Sequence, residues 1–474
     1  MLGRLSIGVA LSVILSAMSI LTLCYSAFGL NGNSVCTGLA LTVAEVAIFA
    51  FSFRWRIRLV VADYMFAGLL ICAAVSVAIN DVIDPKEWLI FLIALAAYPA
   101  CRLVTVSSLP DIRRAFLWIT GAVAVAGTIV AAQALAAQWD EEGRPVIFGF
   151  FSAPTMFLGS SGLFLIALTT IKLTARRTAV ISASIFLPVA VFAASQIRFT
   201  FIAIIGCLCL SAFLAHSNQR KYIKIIGLVV LAGIAAGQAV RIDSTRIYLQ
   251  YAVEQTHAKS ITTFSTTSIT TLGTTMTDQP TGGFKAIRLR QLQAPSCGLD
   301  VNLRNSIAIR KALLSDALYL VPRAGGFGFG LDSFLGLSCI PFTEVHDTIL
   351  QAFVEFGWLG GICLLALILS SAMPLRSASQ TSDDVRFVLC CLAYFFFLSL
   401  AHGRISRDMP LFAMLGLAAG TRELVALQSR PAISTLRVFG QQIIRLARET
   451  SALALALVAS LILLVIDSGS PRAH

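Results

Sequence analysis

Only five histidines occur in the chain, and two of them, His346 and His402, stand at the ends of long apolar segments. His346 lies in VHDTILQAFVEFGWLGG, with Asp347 or Thr348 placed to cap the helix that follows. The start of a helix disfavours an imidazolium, so a histidine there suits a neutral base that accepts a proton. Asp347 pulls the other way, and a plain polar residue closing a helix end would look the same. Arginines form the second group: Arg198 in SQIRFTF, Arg241 and Arg246, Arg310, and Arg404 and Arg407 in AHGRISRD. Each could simply snorkel to an interface. Together they could instead hold an anion, because the planar guanidinium fork matches phosphate oxygens. Glu355, one helical turn after Gln351, sits inside an apolar run, as do Glu45 and Asp63. Carboxylates in such places usually face a bundle interior, so Glu355 is expected to brace its helix.

These residues need elements to hold them, and composition decides which. The chain is 57% hydrophobic and 13% charged, far below the roughly one quarter charged that soluble domains carry. Its apolar residues come in blocks of about 20, enough to cross a hydrocarbon layer about 30 Å thick. An all-α, polytopic membrane protein with about twelve transmembrane helices is therefore expected. They fall near 6–29, 35–53, 59–79, 88–106, 115–137, 150–171, 178–196, 198–215, 223–240, 348–372, 386–402 and 408–425. The run 450–467 makes a thirteenth helix or lies in the interface, and the N-terminus reads as a retained first helix, since it lacks a clear cleavage site.

Every second loop is basic: Arg54, Arg56 and Arg58; Arg102, Arg113 and Arg114; Lys172, Arg176 and Arg177; Arg220, Lys221 and Lys224. The alternate loops NGN, NDVIDPKE and WDEEGRPV are neutral or acidic. Basic loops stay in the cytoplasm, so the N-terminus is expected inside and 241–347 outside, as one long periplasmic loop. The net charge of +12 then serves topology rather than nucleic acid, which is not expected as a partner. Four regions follow: helices one to nine over 1–240, the loop over 241–347, helices ten to twelve over 348–425, and a basic segment with an apolar helix over 426–474. The loop has a Thr-rich middle, then SIAIRKALLSDALYLV, whose spacing predicts an amphipathic helix with Arg310 and Lys311 on its polar side. Most of the eleven cysteines lie in apolar blocks. Cys297 and Cys339 lie within the loop, where an oxidising compartment would let them pair.

Three segments together carry a resemblance. SIAIR at 306–310, GFGFGLDSF at 326–334 and HDTILQAFVEFGWLGG at 346–361, with SQIRFTFIAIIG upstream at 195–206, resemble the O-antigen ligase and O-antigen polymerase superfamily. The resemblance implies a helical, metal-independent inner-membrane glycosyltransferase without a cofactor. Its donor would be a glycan on undecaprenyl pyrophosphate, and its acceptor lipid A-core or another glycan. It implies His346 as the base, with Arg198 and Arg310 on the pyrophosphate; Arg404 is grouped with them on its position, with Arg241, Arg407, His402 and Glu355 in support. Asp347 departs from the asparagine expected there. Ligase is favoured slightly over polymerase. A transporter of lipid-linked sugars would share the arginines but should show internal repeats and discontinuous helices. A metal-dependent transferase would draw on Asp81 and Asp84.

Overall fold

The structure, a computed structural model, describes residues 2–27, 34–52, 57–80, 82, 84–104, 108–140, 144–246, 294–298, 301, 306–340 and 343–428. Among them the protein is helical, with one isolated β-bridge, Ile147 to Phe150. The first ten helices are α1 (Leu2–Leu15), α2 (Ala17–Ala27), α3 (Ser34–Ser52), α4 (Val61–Asn80), α5 (Pro85–Arg102), α6 (Leu109–Ala137), α7 (Ala153–Thr169), α8 (Ala175–Ala194), α9 (Phe199–Leu214) and α10 (Ser217–Val240). After the long loop come α11 (Ser306–Leu320), the single turn α12 (Phe334–Leu337), α13 (Thr348–Glu355), α14 (Gly357–Ala372), α15 (Leu375–Thr381), α16 (Asp383–His402) and α17 (Met409–Gln428). The Thr-rich stretch and the run 450–467 lie outside the described residues, as does Asp81.

Local chemistry sets the helix starts. Asp84 accepts from the Lys86 N–H and Pro85 opens α5, where a missing N–H costs nothing. Thr174 caps α8 and Ser382 caps α16. Helices α5 and α17 pack together, as do α8 with α10, α4 with α14, and α16 with α9. Arg102, expected as a loop charge, is instead the buried last residue of α5. It meets Asp63 of α4 at 2.9 Å and Glu423 of α17 at 2.7 Å, and these carboxylates compensate its desolvation.

Two of the expected helices are broken. The first bends by 87° between α1 and α2. The tenth stops at Glu355 and restarts at Gly357, whose φ is +73°. Six described helices are long and apolar enough to cross a membrane, or seven with the bent α1–α2 pair; α3, α7 and α9 are shorter apolar helices. Twelve or thirteen crossings therefore do not follow from helix length and apolarity alone. The outer surface carries exposed Ile71, Val125, Leu187, Ile202 and Leu228, a face that suits hydrocarbon rather than water. The protein is membrane-embedded.

The glycine-rich loop explains the break after α13. The Phe329 and Gly330 N–H groups donate to the carbonyls of Val354 and Glu355, and the Trp358 and Leu359 N–H groups donate to Gly325 and Gly326. The loop thus supplies the backbone partners that a continuous helix would have provided. Gly328 has φ +74°, and a Cβ there would land in the Glu355 carbonyl; one on Gly357 would strike the Gly326 carbonyl. Gly328→Ala and Gly357→Ala should each cost at least about 1–3 kcal/mol, seen as a lower thermal midpoint in detergent. Gly336→Ala is the control, since its Cβ meets nothing within 4 Å. Equal midpoints for all three would refute this account of the loop.

Candidate active site at one end of the bundle

Four elements converge at the end of the bundle that carries the long loop. The turn before α13 presents His346, the end of α16 presents His402, α11 presents Arg310, and the start of α9 presents Phe199, next in the chain to Arg198. Asp347 is the N-cap of α13: its carboxylate accepts from Ile349 and Leu350 N–H groups at 2.9 and 3.0 Å. His346 has φ +57°, in the left-handed region that side chains rarely occupy. Burial, then the positive charge of Arg310, push its imidazole down to about 4, so the ring is neutral near pH 7.

Helix α11 does not present Arg310 to solvent, as its spacing predicts. It exposes Leu314 and Leu318 and buries Asp316 completely. The Asp316 carboxylate accepts from the Ser296 N–H at 2.9 Å, the Ser296 hydroxyl at 2.5 Å and the Ser338 hydroxyl at 2.8 Å. This ties both flanks of the loop to α11, over a small core of Leu313, Leu320, Phe334 and Val354. Cys339 is disulfide-bonded and its N–H donates to Ser296 at 3.1 Å. The Cys297 side chain lies outside the described residues, and the expected Cys297–Cys339 pairing lies outside them with it.

Arg310 is held without a carboxylate among the described residues. Its guanidinium donates to the Ala401 carbonyl, lies 3.2 Å from His402 Nδ1, and stacks 3.9 Å over the Phe199 ring. Burial and the charge of Arg144 push Arg310 down to about 10. Arg144 stands in the loop WDEEGRPV, which the charge pattern marks as acidic, and sequence reasoning missed it. The usable signal was an arginine in a short loop where topology does not call for one.

The remaining arginines differ. Arg404 reaches Asp332 at 2.6 Å, Glu344 at 3.0 Å and Glu87 at 3.3 Å. Arg407 pairs with Glu87, and Arg241 is buried against the Ala194 carbonyl. Arg404 is therefore grouped with carboxylates, not with the Arg310 cluster. Gln351 extends its network: its amide N–H groups donate to Glu344 at 2.9 Å and Glu355 at 3.0 Å, and its oxygen accepts from the Ile405 N–H at 2.8 Å. Glu355 does brace α13, through this contact and through its carbonyl. No family model, curated protein or solved structure matches this chain, so the resemblance rests on the residues quoted for it.

Burial raises Glu344 to about 7, against the pull of Arg404. A carboxyl raised on folding takes up a proton on folding, so its contribution falls as pH rises from 4.5 to about 7. The lowered His346 works in the opposite sense: its contribution falls as pH drops from 6.5 to about 4. Unfolding midpoints in detergent across this range should therefore rise more with pH in Glu344→Gln than in wild type, and less in His346→Gln. Parallel pH profiles for all three proteins would rule out these environments.

Proposed function

We propose that the protein transfers a glycan from a polyprenyl pyrophosphate to an acceptor hydroxyl, as an O-antigen ligase or polymerase does. The observation that carries this reading is the contrast between its arginines. Arg102 and Arg404 are matched by carboxylates, whereas Arg310, close to Arg144 and to the backbone of Arg198, is held by neutral groups alone among the described residues. A cation desolvated and left uncompensated favours an incoming anion, and the neutral His346 stands beside it. The acceptor O–H gives its proton to His346 as its oxygen bonds to the anomeric carbon. The bond from that carbon to the pyrophosphate oxygen breaks, and the electron pair leaves on the phosphate. Arginines facing that oxygen stabilise the charge where it develops.

Topology belongs to the same proposal. Counting α1–α2 and α13–α14 as one crossing each, the bundle crosses the bacterial inner membrane twelve times. The exposed Arg176, Arg177 and Lys221 at the opposite end favour that end for the cytoplasm and the His346 end for the periplasm. Arg404 and Arg407 then hold the site's frame rather than the donor. The 87° bend of α1–α2 favours a second reading, a transporter of the same lipid-linked sugars.

Assay of the purified protein with a lipid-linked glycan, with and without lipid A-core, tests the reading and separates ligase from polymerase. Activity should survive EDTA, and His346→Ala should lose roughly 10²–10⁴-fold, the range for a general base. The acidic limb of kcat/KM should lie near 4, well below that of a solvated histidine, because the base stays neutral until then. Full transfer by His346→Ala would remove the base assignment. A transporter would form no product and would lose flux instead. Impermeant thiol labels near Arg177 should be protected in spheroplasts; labelling there would reverse the orientation.

A further inference from the structure

Arg310 owes its position to a histidine that the transfer chemistry does not itself require. Guanidinium carries donors only, so His402 Nδ1, 3.2 Å away, must be the acceptor and the ring proton must sit on Nε2. The ring is then neutral. Its Nε2 is buried without a hydrogen-bond partner, which leaves Arg310 as the ring's one hydrogen-bonding partner among the described residues. Phe199 completes the arrangement: its face lies under the guanidinium and its ring meets His402 edge-on, 6.1 Å between centroids at 88°. The Ala401 carbonyl accepts from the second guanidinium nitrogen. Ala401 and His402 are the last two residues of α16, so the electronegative end of a helix faces the cation. Dipoles, a lone pair and a π-face thus fix the guanidinium plane, and none of them carries a full negative charge.

We infer that His402 is a positioning residue, whose neutral imidazole aims Arg310 at a pyrophosphate-class anion without neutralising it. This rests on the pyrophosphate site proposed above. A carboxylate at this position would orient the guanidinium equally well, but it would take up the charge the ligand needs. Arg404, clamped by Asp332, Glu344 and Glu87, shows that alternative in the same protein.

Titration of the purified protein in detergent with inorganic pyrophosphate, followed by calorimetry, tests this. His402→Asn keeps an acceptor oxygen near the Nδ1 position, His402→Leu removes it, and His402→Asp adds a charge. His402→Asn should bind within about threefold of wild type, while His402→Leu should bind at least about tenfold more weakly, as expected for losing a hydrogen bond to a charged group. His402→Asp should bind at least as weakly as His402→Leu, though it restores the acceptor. Arg310→Ala with His402→Leu should bind no more weakly than Arg310→Ala alone, because one residue acts through the other. Wild-type affinity in His402→Leu, equal losses in His402→Asn and His402→Leu, or additive losses in the double variant would each overturn the inference while leaving the pyrophosphate site standing. Failure of wild type to bind pyrophosphate, or no loss in Arg310→Ala, would remove that site and the inference with it. Monodisperse elution of each variant separates these outcomes from misfolding.

Discussion

A charge inside a membrane protein is costly unless a partner compensates it, and Arg404 meets that demand with three carboxylates. Its carboxylate partners come from the start of α5, the glycine-rich loop and the turn before α13. Gln351 links the same group to α13 and to the backbone after α16. Thr348 adds a bond to Asp408 at 2.7 Å. Segments hundreds of residues apart are joined through one desolvated cation. Removing Arg404 would leave the largely buried carboxylates of Asp332 and Glu344 without their cation, which is why such a group tolerates little alteration. The turn bearing His346 and the turn following His402 are both fixed to it.

With that frame in place, the anion site proposed beside it can keep an arginine without a carboxylate among the described residues. Arg310 meets His402, two residues before Arg404 in the chain, and is held by groups that orient it without neutralising it. The two arginines answer opposite requirements, one closing the fold and the other leaving a charge open. At the far end of the bundle Arg102 is likewise matched by carboxylates, those of Asp63 and Glu423.

Much of this was legible in order along the chain. Apolar blocks located the helices to within a few residues, and Asp347 was readable as a cap because capping is local. His346, Arg310 and His402 could be assigned to one end because loop charge alternates. What escaped was non-local or concealed by composition. The partners of Arg404 lie far apart in sequence, so no spacing announces them. Arg144 was hidden by its acidic neighbours Asp140, Glu141 and Glu142. The breaks at Ser16 and Gly357 interrupt no apolar run, since what interrupts the helix is geometry rather than polarity. Arg310 was assigned to the wet side of α11 because the burial of Asp316 cannot be read from periodicity.

The left-handed backbone at His346 has a consequence for how this protein could change. Residues in that region store roughly 1–3 kcal/mol, and glycine occupies it without strain. A lineage selected for robustness alone would drift toward glycine at this position, gaining stability while giving up the imidazole. Keeping a histidine there thus costs the folded state something that glycine would not, and the base role proposed for the ring is what that cost would serve.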